Sequence, residues 1–388
     1  MVEVGKFTLE SLTTGMYSDP RIVYREYIQN SVDSIENAVA EGLMSNEDAY
    51  IKVFIDAENG CISIIDNGKG ISVARATNVL LSIGKSTKRQ DANRGFRGIG
   101  RLGGLSYCEH LSFTTSVQGE DVATRIVFDC KLLKSLLSPD HEEELDLQSV
   151  IERITEVEEI DVDKDDHFFR VDMDEVDSSS ELLDLDEIKQ YLSEVAPVPY
   201  DERHFVVAPE IKRFLTEHDY TLTEFKIFIG YDEDHLKQVR KPNRYRFRSD
   251  RNQRTEDVIT EVVTFSIDLD STSSLLGWYG RCNWNGTLSD NALLGMRMRL
   301  GNILIGDRRT MDVMFKEPRF NGWVQGEIFV NTTGLIPNAR RDDFEQNEVY
   351  YQMIEKLKAR VGDVITREIR EASKTRNNPD ARLLLSLI

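Results

Sequence analysis

Cysteine and histidine are scarce in this 388-residue sequence, with four and six respectively. Cys61, Cys108, Cys130 and Cys282 are widely spaced. No Cys-x-x-Cys pair or cysteine–histidine cluster points to a structural metal or a disulfide framework. The scattered histidines give zinc or triad chemistry little support. No apolar run reaches membrane-spanning length, so no membrane partner is expected. The opening Met-Val-Glu-Val-Gly-Lys-Phe is not a signal peptide, and a reducing cytoplasm is the expected location. No internal repeat is visible. Positive charge is also in deficit: 48 Lys and Arg stand against 68 Asp and Glu, a net charge of −20. That balance argues against a chain generally coated by nucleic acid. What is present is length for two or three domains and a hydrophobic content of 40%, enough for real cores.

Three short stretches carry chemistry. In residues 21–33, Glu26, Asn30 and Asp33 fall four and then three apart on a predicted helix. At about 3.6 residues per turn they share one face, while Val23, Tyr27 and Ile28 serve packing. A carboxylate beside an amide can orient a water and ligate a hard divalent cation. Acid–amide–acid patterns also occur on solvated helix faces, so this stretch alone does not decide. In residues 61–72, Ile62, Ile64 and Ile65 read as a buried strand that ends at Asp66, followed by Gly68 and Gly70. Asp66 at a strand end can accept a hydrogen bond from an exocyclic amine, and the glycines allow close approach of a ligand. An ordinary Asp-Asn-Gly turn is the alternative.

The third stretch, 81–116, contains Gly95, Gly98 and Gly100 in a G-x-x-G-x-G loop, with Phe96, Arg97 and Ile99 between them. Free N–H groups at a glycine-rich helix start bind phosphate, aided by the helix dipole. Lys85 and Lys88 add cations, and Ser86 and Thr87 add hydroxyls. A Rossmann fingerprint is not met, because no parallel βαβ unit surrounds the loop. A Walker loop is not met either, because its first glycine is missing. A surface loop is the alternative reading.

In this order and spacing, the three stretches resemble the GHKL ATPase superfamily, which includes gyrase B, heat shock protein 90, histidine kinases and MutL. The resemblance implies a two-layer α/β sandwich with ATP and Mg2+ as ligands. It implies that Glu26 orients the attacking water, Asn30 ligates magnesium and Asp66 binds the adenine amine. Asp33, Gly68, Gly70, Lys85, Ser86 and Gly95 to Gly100 complete the expected nucleotide-binding set, with about 84–100 as a lid. Glu26 favours hydrolysis over phosphotransfer to histidine. The match is closest to heat shock protein 90-like ATPases: residues 7–35 are similar to that family's first two helices, and 295–307 to a strand pair of its middle domain. Residues 326–347 look like its strand and loop with a catalytic arginine, which falls on Arg341, with Arg340 as the fallback. A guanidinium there would neutralise charge on a γ-phosphate; pairing with Asp342 or Asp343 is the alternative. The family's late Gly-Thr pair is missing, and residues 168–173 occupy its place behind Asp166 and His167.

The expected organisation is an ATPase domain over 1–178, a middle or transducer-like domain over 179–347, and a helical segment over 348–388. Residues 139–191 are acidic and read as a solvated insertion. Residues 237–254 are basic, and alternation of Arg244, Arg246 and Arg248 with Tyr245 and Phe247 predicts a strand with one basic face. Such a face can grip DNA, dock on an acidic segment, or simply be solvated. The resemblance implies an ATP-driven machine acting on a protein client, with self-dimerisation on ATP binding. A MutL- or MORC-like DNA clamp and a non-catalytic nucleotide-gated scaffold are the alternatives.

Overall fold

Helix α1 (Ile22–Ala40) starts just after Pro20, with Asp19 accepting the Arg21 N–H at 3.0 Å. Its buried apolar residues Tyr24, Tyr27, Ile28, Val32, Ile35 and Ala38 recur at helical spacing. The computed structural model describes residues 19–82, 100–138, 143, 145–249, 255–270, 273–332, 334–338 and 340–377. The part of 7–35 before Asp19, where the first of the two helices is expected, lies outside them, as do Lys85, Ser86, Gly95, Phe96, Arg97, Gly98 and Ile99.

The chain divides into two compact units: Met1–Ala196 with Phe225–Val239, and Pro197–Glu224 with Arg240–Ile388. In the first, α1 is followed by β1 (Ile51–Asp56), β2 (Cys61–Asp66) and α2 (Val73–Leu81). A 3-10 helix (Gly100–Ser106) then leads to β3 (His110–Ser116), β4 (Val122–Asp129) and α3 (Cys130–Leu137). Helix α4 (Leu147–Ile154), β5 (Thr155–Asp161), β6 (Phe168–Asp174), α5 (Leu185–Val195), β7 (Ile227–Gly230) and β8 (Lys237–Gln238) complete it. The strands form one sheet in the order β5-β4-β3-β6-β2-β1-β7-β8. Every neighbouring pair is antiparallel except β1 with β7. This is the α/β layering expected, with alternate residues of β1 and β2 buried.

Two features depart from the expected layout. The strand at 227–230, assigned by sequence to the second domain, pairs in parallel with β1 from Ile51↔Ile227 to Phe54↔Gly230. A four-residue apolar run does not state its partner; the free edge of β1 does. The acidic stretch 139–191 also has structure of its own among its described residues. The Asp146 side chain caps α4 by accepting the Ser149 N–H at 2.7 Å. Strand β6, at the place where the sequence led one to expect a strand, runs between β3 and β2. The expected break at 178/179 falls inside the first unit, because α5 and β7 belong to it.

The second unit holds α6 (Ala208–Glu217), the β9 (Arg246–Ser249) and β10 (Thr255–Val258) pair, and a five-stranded sheet. That sheet has β11 (Glu261–Asp268), β12 (Ser274–Arg281), β13 (Gly295–Leu300), β14 (Ile303–Ile305) and β15 (Gln325–Asn331), in the order β11-β12-β15-β13-β14. The long C-terminal helix is α7 (Glu348–Leu357), one π-helical turn (Lys358–Gly362) and α8 (Asp363–Asn377). Met353, Leu357, Val361, Ile365 and Ile369 are buried in this unit's core, so 348–377 packs with the domain before it.

Glu327 on β15 lies in the middle of that core with no exposed side-chain surface. Lys241 Nζ bonds its two oxygens at 2.9 and 3.1 Å, and Arg299 Nε and the Tyr200 hydroxyl also donate to it. Trp278 Nε1 donates to the Tyr200 hydroxyl at 3.2 Å. Burial would raise this carboxyl, but Arg299 and Lys241 outweigh it and hold Glu327 down to about 2. Removing one partner of a buried ion pair leaves uncompensated charge in a low-dielectric core, at a cost of about 3–5 kcal/mol. Glu327→Ala is expected to lose that much stability in urea unfolding, and a loss below about 1 kcal/mol would mean that the cluster behaves like an exposed pair.

Candidate functional site

Asp66 ends β2 with 1% of its surface exposed. Its Oδ1 accepts the Gly68 N–H at 2.9 Å, and the hydroxyls of Ser31 and Ser34 on α1 also bond it. Burial pushes its carboxyl up to about 7, against those hydrogen bonds, which pull the other way. A carboxylate has about four lone-pair positions, so one that accepts these three bonds is chemically suited to a further donor such as an exocyclic amine.

The turn after Asp66 is held from three directions. The Gly68 carbonyl accepts a hydrogen bond from His167 Nδ1–H at 2.8 Å, which fixes the tautomer of that ring. The Lys69 N–H donates to the Ser34 carbonyl at 3.2 Å. Gly70 has φ +68°, and a side chain there would clash with the Ser116 carbonyl, so this position requires glycine. Ile71 N–H donates at 2.8 Å to the Thr115 hydroxyl, which donates at 3.0 Å to the Phe168 carbonyl. Cross-strand register sets Asp66 opposite Phe169, and Phe169 opposite Thr115. Thr115 therefore shares the sheet face of Asp66, where the resemblance leaves the second adenine contact open.

Glu26 is 6% exposed on α1, and Asn30 and Asp33 are half-buried on the same face. The Glu26 carboxylate lies directly against Gly100: a Cβ on Gly100 would collide with Oε2. The structure thus brings Glu26, Asn30, Asp33, Asp66, Gly68, Gly70 and Gly100 to one helix and its adjoining turns. Along α1, Glu26 and Ser34 are eight residues apart, roughly 12 Å. Lys85, Ser86 and Gly95 to Ile99 lie outside the described residues. Among the described residues no group of three or more His, Cys, Asp or Glu is arranged to hold a metal ion, and no helix is long and apolar enough to cross a membrane. Sequence reasoning missed Ser31, Ser34 and Thr115, and met His167 only as a neighbour of β6. The two serines were visible as hydroxyls on the same helix; the others depend on which strands pair.

Arg341 belongs to the second unit. Its backbone has φ +54°, uncommon for a side chain of this size, and its carbonyl accepts the Gly306 N–H at 2.9 Å. Asp342 accepts from Asn338 Nδ2 at 2.6 Å and Asp343 from the Tyr350 hydroxyl at 3.1 Å. Arg340 is exposed.

Residues 17–162 match the family model described as histidine kinase-, DNA gyrase B-, and HSP90-like ATPase. The match covers less than half of the chain. Curated relatives are chaperone proteins HtpG. The protein of Acinetobacter baylyi is 36% identical over 84 residues, 20% of this chain and 13% of that protein. One of Clostridium botulinum is 31% identical over 110 residues, 26% and 18% of the two chains. That of Nitrosomonas europaea is 30% identical over 129 residues, 29% and 20%. The chain therefore matches a fifth or less of the length of these relatives.

The contact between Glu26 and Gly100 has a measurable consequence. Gly100→Ala is expected to destabilise the protein by about 1–3 kcal/mol through overpacking. In a Glu26→Ala background most of that cost should vanish, because the colliding oxygen is gone. A double-mutant cycle by thermal unfolding reads the coupling; additive effects would mean that the two residues do not touch.

Proposed function

We propose that the chain binds ATP in its first unit and hydrolyses it with Mg2+, as a heat shock protein 90-like, chaperone-type machine. The observation that carries this reading is the convergence on α1 of a buried strand-end carboxylate, Asp66, and a second carboxylate, Glu26, packed on Gly100. An extended nucleoside triphosphate spans their separation along the helix. The match of 17–162 to an ATPase family model and the partial likeness to HtpG chaperones support the same reading.

In this proposal Asp66 accepts the adenine amine, and Gly68 and Gly70 let the base approach. Lys85, Ser86 and Gly95 to Gly100 contact the phosphates. Magnesium, when bound, neutralises phosphate charge; it takes few protein ligands, so Asn30 suits it without a carboxylate cage. Asp33 lines the same face. Glu26 orients a water and takes its proton as the oxygen attacks the γ-phosphorus, and ADP leaves. Arg341 is proposed to neutralise charge on the transferring phosphoryl group. Lid closure, self-dimerisation on ATP and action on a protein client are parts of the proposal that rest on the resemblance; a cytoplasmic location rests on the N-terminal sequence and the scattered cysteines.

The first experiment is magnesium-dependent hydrolysis and nucleotide binding by the wild type, Glu26→Ala and Asp66→Asn. Glu26→Ala should keep binding and lose about 100-fold or more in turnover, the upper range for a positioned base. Asp66→Asn should lose binding. A wild type that binds no adenine nucleotide would end the proposal. Unchanged turnover in Glu26→Ala would favour a nucleotide-gated scaffold.

The DNA-clamp reading retains one supporting observation: Arg246 and Arg248 are exposed on one face of β9. Against it, Phe247 lies in the core, Tyr245 packs against it, and Arg248 pairs across the ladder with Glu256. The aromatics are thus occupied in packing. Charge reversal of Arg246 and Arg248 is expected to leave ATP turnover unchanged. Salt-sensitive DNA binding that the reversal abolishes would move the assignment to the clamp.

A further inference from the structure

Helix α2 ends at Leu81, and its last carbonyls point beyond the helix without intrahelical partners. Arg101 meets them. Its Nε donates to the Leu80 carbonyl at 3.2 Å and its Nη2 to the Ser82 carbonyl. A guanidinium suits this place for two reasons. The helix C-terminus is the negative end of the macrodipole, and the planar fork fixes two acceptors at once.

The main chain of Arg101 is held from another side. Its carbonyl accepts the Tyr27 hydroxyl at 3.1 Å, and the same hydroxyl accepts the Gly104 N–H at 3.1 Å. Tyr27 is 1% exposed and directly follows Glu26 on α1. Arg101 itself directly follows Gly100, where a Cβ would run into the Glu26 carboxylate. One residue therefore ties the end of α2, the start of the 3-10 helix and the turn of α1 that carries Glu26.

We propose that Arg101 is a positioning residue: by gripping the carbonyls of Leu80 and Ser82 it fixes Gly100 against Glu26, and so sets where the Glu26 carboxylate stands relative to the attacked phosphorus. This inference rests on the ATPase reading above. It differs from a phosphate-binding role for Arg101, because the guanidinium is spent on two carbonyls rather than presented to a ligand. A misplacement of about 1 Å can cost up to 100-fold in rate, so the effect belongs in turnover.

The test compares wild type, Arg101→Ala and Arg101→Lys in steady-state ATP hydrolysis, with amide hydrogen exchange over 80–82 and 100–104 measured on nucleotide-free protein. Arg101→Ala should lower kcat about tenfold or more with KM for ATP within twofold. Arg101→Lys, which can still satisfy one carbonyl, should recover part of the loss. Exchange should speed up at 100–104 in Arg101→Ala before any nucleotide is added. A rise in KM with kcat intact would assign Arg101 to ligand contact and overturn the proposal. Unchanged kcat with unchanged exchange would overturn it as well. Failure of the wild type to bind or hydrolyse ATP would instead remove the underlying reading, while the exchange result would still report whether the clamp exists.

Discussion

Burial of Asp66 is the constraint on which the first unit depends. A carboxylate at the end of a central strand is out of water, and the protein answers with two serine hydroxyls from α1 and one backbone N–H from its own turn. Those bonds fix how α1 lies on the sheet: a shift by one helical position would take Ser31 and Ser34 off the carboxylate and strand it in an apolar setting. They bring no cation to it, and burial still holds its pKa up at about 7. An unfolded aspartate titrates near about 3.9. Between these values the folded state holds the proton that the unfolded state has lost, so this group's contribution to stability falls as pH rises from about 4 to 7. Stability is given up at a position where a ligand that donates a hydrogen bond would restore it.

The second buried carboxylate solves the opposite problem. Glu327 faces two cations and two further donors, and its pKa is driven down rather than up. Nothing is left for a ligand to supply. Tyr200 and Lys241 each lie a few residues inside the second unit, just past the points where the chain passes between units, and they are paired by a parallel bridge. The two segments by which the chain enters the second unit are therefore fastened inside it by one glutamate. The contrast between Asp66 and Glu327 separates a candidate site from a structural anchor: the same functional group, equally buried, has two cations beside it in Glu327 and hydroxyl and N–H donors alone in Asp66.

Local pattern made much of this legible. Helix α1, strands β1 to β4 and β6, and β11, β13, β14 and β15 were legible as elements, whereas β12, buried along nearly all its length, was not; the site residues on α1 and the β2 turn could be named from spacing. What could not be read was decided by pairing or by competing local chemistry. β7 joins the first sheet because β1 has an edge to fill. Residues 100–106 form a 3-10 helix where an ordinary helix was expected; Gly100, Gly103 and Gly104 lower helix propensity. The C-terminal helix widens into a π turn where Gly362 packs on the Met314 carbonyl, a contact that no periodicity announces. Arg101 was legible only as part of a glycine-rich loop, because its partners are backbone carbonyls, which carry no sequence signature.

The acidic excess also acquires a physical role. Strand β5 is an edge of the eight-stranded sheet, and Val157 and Ile160 on it are 47% and 37% exposed. An apolar, unpaired edge invites another strand. Glu156, Glu159 and Asp161 on the same strand are exposed, and Glu158 forms an ion pair with Arg125 on β4 at 3.6 Å. A second chain that added a strand there would have to bring its own backbone into a row of carboxylates and bury some of them. Read as charge alone, the segment looks like a solvated insertion. Placed on the edge of the sheet, the carboxylates protect an edge that the hydrophobic residues would otherwise leave open to aggregation.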